Sequence, residues 1–274
     1  MHKNNPKISD LLDKKNKQKI CCLTAYSYSV AKIIDQYCDL ILVGDSLGMT
    51  VYGMKDTIDV TLEMMINHGK CVKKASHKSL VVVDLPHGTY EKSGEQALIS
   101  AREVLSQTKC DAIKIEVNED ILPILKYLCQ EQIPVIGHVG LLPQHVRKIG
   151  GYKYQGMDQE SANKILEISK KIADYGAFAL VIEAVPSDLA DKITESINIP
   201  TIGIGASRNC DGQILVTDDL IGLNEEFKPK FVKNYDNFAQ RLHNAVKCYQ
   251  SDVINKKFPE DQNLTNYKAN KVAK

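Results

Sequence analysis

The sequence predicts an α/β fold in which the 274-residue chain forms one closed (β/α)8 TIM barrel. Short apolar runs recur eight times, and amphipathic stretches with helical spacing lie between most of them. The runs are continuous rather than alternating, which is typical of parallel strands covered on both faces. Eight such units in about 200 residues favour a closed barrel, with an open doubly wound sheet as the alternative.

The apolar runs predict strands at residues 20–25, 40–44, 80–83, 112–115, 134–137, 179–182, 201–205 and 214–216. Apolar residues spaced three and four apart predict helices at residues 30–37, 61–75, 95–105, 120–128, 161–175, 188–197 and 237–253. In the first of these helices, Ile33, Ile34 and Tyr37 should share one apolar face. Because no Gly/Ser/Pro-rich linker divides the chain, residues 1–260 are predicted to be one catalytic domain and residues 261–274 a polar tail.

Composition and charge limit the possible classes of function. Hydrophobic residues make up 43% and charged residues 25%, which excludes a disordered or collagen-like chain. The net charge of +1 gives no overall field to attract nucleic acid or an anionic membrane, and no apolar run reaches the roughly 18 residues of a membrane span. Eight cysteines without a CxxC pair, in a chain whose start does not resemble a signal peptide, indicate the cytoplasm. The expected partners are therefore small molecules.

Polar side chains follow the apolar runs, where a barrel gathers its active site. The carboxyl ends of all eight strands of a (β/α)8 barrel open at one mouth. The polar residues that close the predicted strands are Asp45, Ser46, Asp84, Lys114, Glu116, His138, Glu183, Ser207 and Arg208. We therefore expect these side chains to face one pocket.

Three of these residues, Asp45, Asp84 and Glu116, are carboxylates on neighbouring strands. Lys114 and Glu116 are two residues apart, so both point to one face of their strand while Ile115 points to the other. Unpaired carboxylates in one pocket cannot all stay ionised, and a hard cation would resolve this conflict. Oxygen ligands without Cys or His at ligand spacing favour Mg²⁺ over Zn²⁺.

Each of these residues also has a plainer interpretation. Asp45 and Asp84 could cap helices or turns, Ser46 alone is more often a helix cap, and His138 alone is more often a core histidine. Glu183 is harder to explain in this way, because a carboxylate in an apolar run needs a partner or a role. Since all of them coincide at strand ends, a shared site is the favoured interpretation.

The residue types also indicate a reaction class. Mg²⁺ together with Lys114 suits a 2-oxo acid, because a polarised carbonyl acidifies the neighbouring carbon and stabilises the enolate. Glu183, which the metal does not share, is then the carboxylate able to remove the proton. The residues alone thus predict a metal-assisted enolate enzyme.

Six short motifs occur in order along the chain. They are Leu23-Thr24-Ala25-Tyr26, Val43-Gly44-Asp45-Ser46-Leu47-Gly48-Met49, Asp84-Leu85-Pro86, Gly137-His138-Val139-Gly140-Leu141 with Pro143-Gln144, Gly150-Gly151-Tyr152-Lys153, and Asp211-Gly212-Gln213-Ile214-Leu215-Val216. In these motifs, from about residue 8 to residue 253, the chain resembles the ketopantoate hydroxymethyltransferase family. One such motif would be moderately specific, whereas six in order are very specific.

The resemblance implies a (β/α)8 barrel of the phosphoenolpyruvate/pyruvate superfamily type, assembled as a homo-oligomer, a decamer built as a pentamer of dimers. It implies transfer of a hydroxymethyl group from the co-substrate methylenetetrahydrofolate to 3-methyl-2-oxobutanoate, giving 2-dehydropantoate via a Mg-bound enolate. This reaction is the first step of pantothenate, and hence coenzyme A, biosynthesis. One Mg²⁺ per subunit is implied.

The family's functional residues can be carried over by position. Its metal ligands fall on Asp45, Asp84 and Glu116, its substrate contacts on Asp45, Ser46, Asp84 and Lys114, and its general base on Glu183. His138 is given only an auxiliary role. The chain departs from the family at Ser27, where Asp is usual, and at Ser207-Arg208, and these departures are expected to bear on rate or folate affinity rather than on reaction class.

Two other functions are alternatives to this one. The first is a carbon–carbon lyase of the same barrel superfamily, but such lyases carry a catalytic cysteine in a loop that has no counterpart beside Gly137-His138. The second is a catalytically silent barrel that serves as a scaffold or binding module. Decay of activity would be expected to remove Asp45, Asp84, Glu116 or Glu183, and all four are present.

Overall fold

Eight parallel strands close into a barrel in chain order, and the last strand pairs with the first. The structure is a computed structural model that describes residues 5–225 and 229–264, without the side chains of residues 149 and 261. The strands are β1 (Ile20–Thr24), β2 (Leu40–Val43), β3 (Leu80–Asp84), β4 (Ala112–Glu116), β5 (Val135–Gly140), β6 (Ala179–Glu183), β7 (Thr201–Ile204) and β8 (Gly212–Leu215). The predicted closed barrel is confirmed.

Helices connect most of the strands. They are α1 (Pro6–Asp13), α2 (Tyr28–Ile34), α3 (Leu47–Thr50), α4 (Leu62–Ala75), α5 (Gly94–Thr108), α6 (Leu122–Gln130), α7 (Val146–Ile149), α8 (Gln159–Asp174), α9 (Ser187–Ser196), α10 (Thr217–Leu220) and α11 (Phe238–Ile254). Two 3₁₀ turns occur at Pro143–His145 and Asp261–Asn263. Across the described residues, no helix combines the length and the apolar composition that crossing a membrane requires.

The apolar face predicted for the first amphipathic helix is wrong. Ile34 is buried, but Ile33 is 63% exposed and Tyr37 is 70% exposed. The helix begins earlier than predicted and ends at Ile34, so Tyr37 lies outside its helical face. Next to this end, the carboxylate of Asp35 accepts backbone hydrogen bonds from residues 77–79, which tie the turn to the start of β3.

The strands separate two apolar layers, because successive side chains of a strand point to opposite faces. The inner layer includes Leu42, Val82, Ala112, Ile136 and Val181, and Ile8 and Leu11 of α1 pack in the same cluster. The outer layer, beneath the helices, includes Val43, Val83, Ile113, Ile115, Val135 and Ile182. Since the buried strand residues of the inner cluster lie within the first three positions of their strands, apolar side chains fill the amino end of the barrel and polar ones remain for the mouth.

The connection between β7 and β8 corrects a second prediction. It contains no helix and leads directly from Ile204 back to Gly212 at the amino end. Lys19, which immediately precedes β1, donates from Nζ to the backbone oxygen of Arg208 at 3.2 Å. Ser207 and Arg208 line a groove with Lys19 and with Gly212, the first residue of β8. The expectation that they face the mouth is therefore wrong, because a strand connection without a helix must descend the barrel wall.

The chain divides into two compact units. One comprises Met1–Thr217 with Pro229–Val232 and holds all eight strands. The other comprises Asp218–Lys228 with Lys233–Lys274 and holds α11, in which Leu242, Val246 and Tyr249 are exposed. The single domain predicted over residues 1–260 remains a prediction, and residues 265–274 of the predicted tail lie outside the described residues.

Candidate functional site

Five polar side chains of the strands point into the barrel just above its apolar filling. The strand register sets Asp84 of β3 beside Lys114 of β4, and Glu116 of β4 beside His138 of β5. Glu183 ends β6 beside Gly140. They lie on the same strand face as the inner apolar residues two or four positions before them, such as Val82 and Ala112. The alternation of the strands thus brings the predicted residues together.

Asp45 and Ser46 enter this cluster from the turn after β2. The backbone N–H of Asp45 donates to Oδ2 of Asp84 at 3.1 Å, and the side chain of Asp45 is buried. Ser46 Oγ shares a 2.7 Å hydrogen bond with the hydroxyl of Tyr26. A side chain at Gly44 would bring its Cβ within 2.9 Å of Ser46 Oγ, so it would displace this hydroxyl.

Lys114 places a buried ammonium among the carboxylates. Its Nζ lies 3.1 Å from Oδ1 of Asp84 and 3.5 Å from Nδ1 of His138. Burial by itself would lower the pKa of Lys114, but the negative charges of Asp84, Asp45 and Glu116 outweigh it and raise that pKa. Lys114 is therefore a permanent positive charge within the site.

Glu116 is the most enclosed of the carboxylates. Its two oxygens accept from the backbone N–H of Gln144 at 3.1 and 3.2 Å, and Nδ1 of His145 lies 3.5 Å from Oε2. Burial raises the pKa of Glu116 well above its usual value, and the charge of Asp45 raises it further. The carboxylate is thus costly to ionise without a further positive charge nearby.

Glu183 is the last residue of β6, and its side chain is 16% exposed. Its Oε2 lies 3.2 Å from Nε2 of His138, although the two groups are not aligned for a hydrogen bond. Burial raises the pKa of Glu183 to about 7, against the opposing effect of Lys114. Burial and the Lys114 charge hold the pKa of His138 well below its usual range, so its imidazole is neutral at neutral pH.

Three residues at the site were not predicted as site residues from the sequence. Gln144 lies in the 3₁₀ turn after β5 and donates from Nε2 to Oδ2 of Asp45 at 2.8 Å. Tyr90 donates from its hydroxyl to Oε1 of Gln144 at 2.8 Å, and His145 lies beside Glu116. The pair Pro143-Gln144 within the fourth motif was the one available signal for Gln144. Nothing in the spacing marked Tyr90, which lies in the loop between β3 and α5.

A divalent cation would find carboxylate oxygens as its donors at this site. In the described part of the chain, no three His, Cys, Asp or Glu side chains are grouped closely enough to hold a metal ion by themselves. The site nevertheless has an excess of carboxylates over cations, and burial together with the Asp45 charge raises the pKa of Asp84 to about 7 despite Lys114. Oδ1 of Asp84 is buried and has no aligned hydrogen-bond donor. Because the donors are carboxylate oxygens with uncompensated charge, they fit a hard divalent cation.

Ser27, one of the departures from the family pattern, has a local role. It is the N-cap of α2, and its Oγ accepts from the backbone N–H of Val30 at 3.4 Å. Serine is among the preferred residues at this position of a helix. The N-cap of α2 therefore explains why a serine is suitable at position 27.

Comparison with known sequences identifies close relatives. Residues 5–261 match the profile of a family described as ketopantoate hydroxymethyltransferase. A protein of Pelagibacter ubique is 50% identical over 93% of this chain and 97% of its own length, and one of Rhizobium etli is 48% identical over 93% and 92%. Both carry the name 3-methyl-2-oxobutanoate hydroxymethyltransferase, as does a protein of Anaplasma marginale at 48% identity over 93% and 91%.

Comparison with solved structures identifies the fold. Phosphoenolpyruvate phosphomutase from Streptomyces platensis subsp. rosaceus aligns with a TM-score of 0.59 at 13% identity, covering 92% of this chain and 87% of its own. 2,3-Dimethylmalate lyase, described as a PEP mutase/isocitrate lyase superfamily member, aligns with a TM-score of 0.55 at 15% identity, covering 96% and 90%. At these identities the likeness concerns the fold alone, and it agrees with the predicted (β/α)8 barrel.

Proposed function

The chain belongs to the ketopantoate hydroxymethyltransferase family, and we propose that the polar cluster at its barrel mouth carries out this family's reaction. The enzyme transfers a hydroxymethyl group from methylenetetrahydrofolate to 3-methyl-2-oxobutanoate, which gives 2-dehydropantoate, the first step of pantothenate and coenzyme A biosynthesis. The lyase alternative rests on a likeness of fold alone, whereas relatives 43–50% identical bear the transferase name. The observation that carries the assignment of roles is that Asp84 is the carboxylate paired with Lys114 at 3.1 Å, whereas Glu183 lies 3.2 Å from Nε2 of the buried His138.

Lys114 and Ser46 are proposed to hold the carboxylate of the 2-oxo acid. The buried ammonium of Lys114 supplies a charge that an anion can approach from the mouth. Ser46 Oγ is oriented by the Tyr26 hydroxyl, so one hydroxyl of the pair can donate to a substrate oxygen. Binding the carboxylate here directs the remaining, branched end of the substrate away from the apolar filling of the barrel.

Glu183 is proposed to take the proton from the branched carbon of the substrate. A carboxylate whose pKa is about 7 is partly ionised at neutral pH and is a stronger base than an exposed glutamate, which favours proton transfer. Neutral His138 beside it adds no positive charge that would weaken this base. The deprotonated carbon then attacks the methylene carried by the folate, and one of the two C–N bonds of that methylene breaks. Water replaces the second folate nitrogen, which leaves the hydroxymethyl group on the substrate and releases tetrahydrofolate, whose two nitrogens take up the substrate proton and one proton of the water.

Asp45 and Asp84, with Glu116, are proposed to hold one Mg²⁺ per subunit. When bound, the cation would polarise the keto oxygen of the substrate and so acidify the neighbouring carbon. The raised pKa values of Asp84 and Glu116 support this proposal, because they reflect negative charge that Lys114 alone does not compensate. The backbone N–H of Asp45 already donates to Oδ2 of Asp84, which holds the two residues next to each other.

Proton NMR of 3-methyl-2-oxobutanoate in D₂O tests these roles. With enzyme and Mg²⁺ but no folate, we expect the branched-carbon proton to exchange, and the exchange to stop when the metal is chelated. Adding methylenetetrahydrofolate should then produce 2-dehydropantoate. Absence of both exchange and product with metal present would refute the proposed roles.

We also propose that the enzyme is a cytoplasmic homodecamer. All eight cysteines are free, which supports a reducing compartment. Ile33, Tyr37 and Ile99 are large apolar side chains exposed on the single chain, which supports burial of part of this surface between copies. Sedimentation should give a mass ten times that of the 30.5 kDa chain. A 30.5 kDa species at micromolar concentration would contradict the assembly.

A further inference from the structure

Gln144 connects two of the proposed metal ligands, although its side chain is uncharged and has no part in the reaction as proposed so far. It lies in the turn Pro143–His145 after β5 and is 2% exposed. Its backbone contacts Glu116 at the end of β4, and its side chain contacts Asp45 after β2. One residue therefore links two carboxylates that different strands contribute.

Each polar group of the Gln144 side chain has a defined partner. Nε2 donates to Oδ2 of Asp45 at 2.8 Å and to the carbonyl oxygen of Leu85 at 3.0 Å. Oε1 accepts from the hydroxyl of Tyr90 at 2.8 Å. Both protons of the amide nitrogen are used, and the amide oxygen has a donor.

Tyr90 and Leu85 decide which way round the amide lies. If the amide were flipped, Oε1 would face Oδ2 of Asp45 and the Leu85 carbonyl, which are both acceptors without a proton to share. Tyr90 is fully buried, and a buried hydroxyl needs a hydrogen-bond acceptor, which Oε1 provides. The hydrogen-bonding requirements of the surroundings, and not only the coordinates, therefore fix the orientation of the amide.

We propose that Gln144 is a positioning residue that orients the Asp45 carboxylate for the divalent cation, and that Tyr90 in turn orients Gln144. The inference rests on the proposed function, because it concerns the same site. Without a donor to its oxygens the Asp45 carboxylate could rotate about its side-chain torsions, and the bond from Nε2 of Gln144 removes this freedom. Hydrogen bonds of this kind to metal ligands commonly determine both ligand geometry and metal affinity.

The test measures Mn²⁺ binding by electron paramagnetic resonance for the full-length wild type and three variants. Gln144→Met keeps the volume of the side chain and the backbone N–H to Glu116 but removes the donor to Asp45. Tyr90→Phe removes the hydroxyl that orients the amide, together with its longer, 3.4 Å contact to the backbone oxygen of Glu116. Tyr127→Phe is the matched control, since Tyr127 is a partly buried tyrosine that packs against Gly94 of α5.

We expect Mn²⁺ to bind about 10- to 100-fold more weakly to Gln144→Met, the usual effect of losing such a contact. Tyr90→Phe should weaken binding about 2- to 10-fold, the effect of one neutral hydrogen bond, and Tyr127→Phe should not change it. Raising the metal concentration should restore most of the substrate proton exchange in Gln144→Met, because Glu183 and Lys114 are intact. If Gln144 had only a structural role, Gln144→Met would lower the melting temperature but would bind Mn²⁺ as tightly as the wild type. Added metal would then not restore the proton exchange.

The outcomes separate this inference from the proposed function. If the wild type binds Mn²⁺ and exchanges the substrate proton, and both Gln144→Met and Tyr90→Phe bind Mn²⁺ as tightly, the inference is overturned and the proposed function stands. If the wild type neither binds Mn²⁺ nor exchanges the proton, the proposed function fails and the inference fails with it. If Gln144→Met does not fold, the affinity of Tyr90→Phe decides alone.

Discussion

The Oε2 atom of Glu183 lies 3.2 Å from Nε2 of His138 where β5 and β6 reach the barrel mouth. The imidazole is buried and its pKa is held well below the usual range, whereas burial raises the pKa of the carboxyl group to about 7. A neutral ring therefore lies beside a carboxyl group that changes protonation near neutral pH. Gly140 allows this approach, because a Cβ there would lie 2.1 Å from the carbonyl oxygen of Glu183.

Replacing Glu183 tests whether this residue is the base that removes the substrate proton. Glu183→Gln should lower the rate of substrate proton exchange by about 10²- to 10⁴-fold, the usual effect of losing a general base. Mn²⁺ binding should be retained, because Glu183 is not one of the three proposed metal ligands. The comparison of exchange by NMR with Mn²⁺ affinity separates the two roles. An unchanged exchange rate would remove Glu183 from the role of base.

The pH dependence of the exchange should follow the Glu183 carboxyl group. A base acts when it is ionised, so the rate should rise with pH and level off above a pKa of about 7. A bound divalent cation favours the ionised form and should move this midpoint to lower pH. Measuring the rate from pH 5 to pH 9 at two metal concentrations checks both statements. A rate that falls over this range would contradict the assignment.

Lys114 should contribute both to substrate affinity and to stability. Lys114→Met removes the cation beside Asp84 and leaves buried carboxylates unpaired, which should lower the free energy of unfolding by about 3–5 kcal/mol. It should also raise the KM for the 2-oxo acid, because the substrate carboxylate loses its charged partner. Urea unfolding and steady-state kinetics measure the two effects. Lys114→Arg, which keeps the charge, should be the less destabilised of the two variants.

Asp84 should make the metal-free protein less stable as pH rises. Its pKa is raised to about 7 in the folded state, above the roughly 4 of an unfolded chain, so the folded state binds the proton more tightly. This contribution is complete below about pH 4 and is lost as pH rises to about 7. Without metal, the stability of the wild type relative to Asp84→Asn should therefore fall across this interval, as measured by urea unfolding at each pH.

Asp211 provides the matched control of opposite sign. It lies at the amino end of the barrel, where Lys15 and the backbone N–H groups of Thr201 and Asn16 hold its pKa below the usual value despite burial. Its stabilising effect is present above the pKa of the unfolded chain and is lost as pH falls. The stability of the wild type relative to Asp211→Asn should therefore fall on acidification. Equal pH trends for the two variants would contradict both explanations.

Much of the barrel and of the candidate site could be predicted from local sequence patterns. Continuous apolar runs marked all eight strands, because a strand that is buried on both faces is apolar along its whole length. The two-residue alternation predicted that Lys114 and Glu116 share a face opposite Ile115, and the inner and outer apolar layers agree with it. The roles given to these residues remain proposals, since proximity alone does not establish chemistry.

The errors arose where the chain leaves these patterns. Ser207 and Arg208 follow an apolar run like the other polar residues, but without a helix the chain turns back along the wall and carries them away from the mouth. Tyr37 has helical spacing from Ile33 and Ile34, but the helix ends before it. The spacing of apolar residues does not predict whether a connection contains a helix, nor the residue at which a helix ends.

The sequence by itself determined the barrel, the family and the set of carboxylates at the strand ends, because these depend on residue type and position along the chain. Only the tertiary structure decided how the carboxylates are held. Gln144 is separated from Asp45 by 99 positions, and Tyr90 from Gln144 by 54, so no local spacing relates them. Their contacts exist because closure of the barrel brings the loops of distant strands to one mouth, where buried polar groups must find partners.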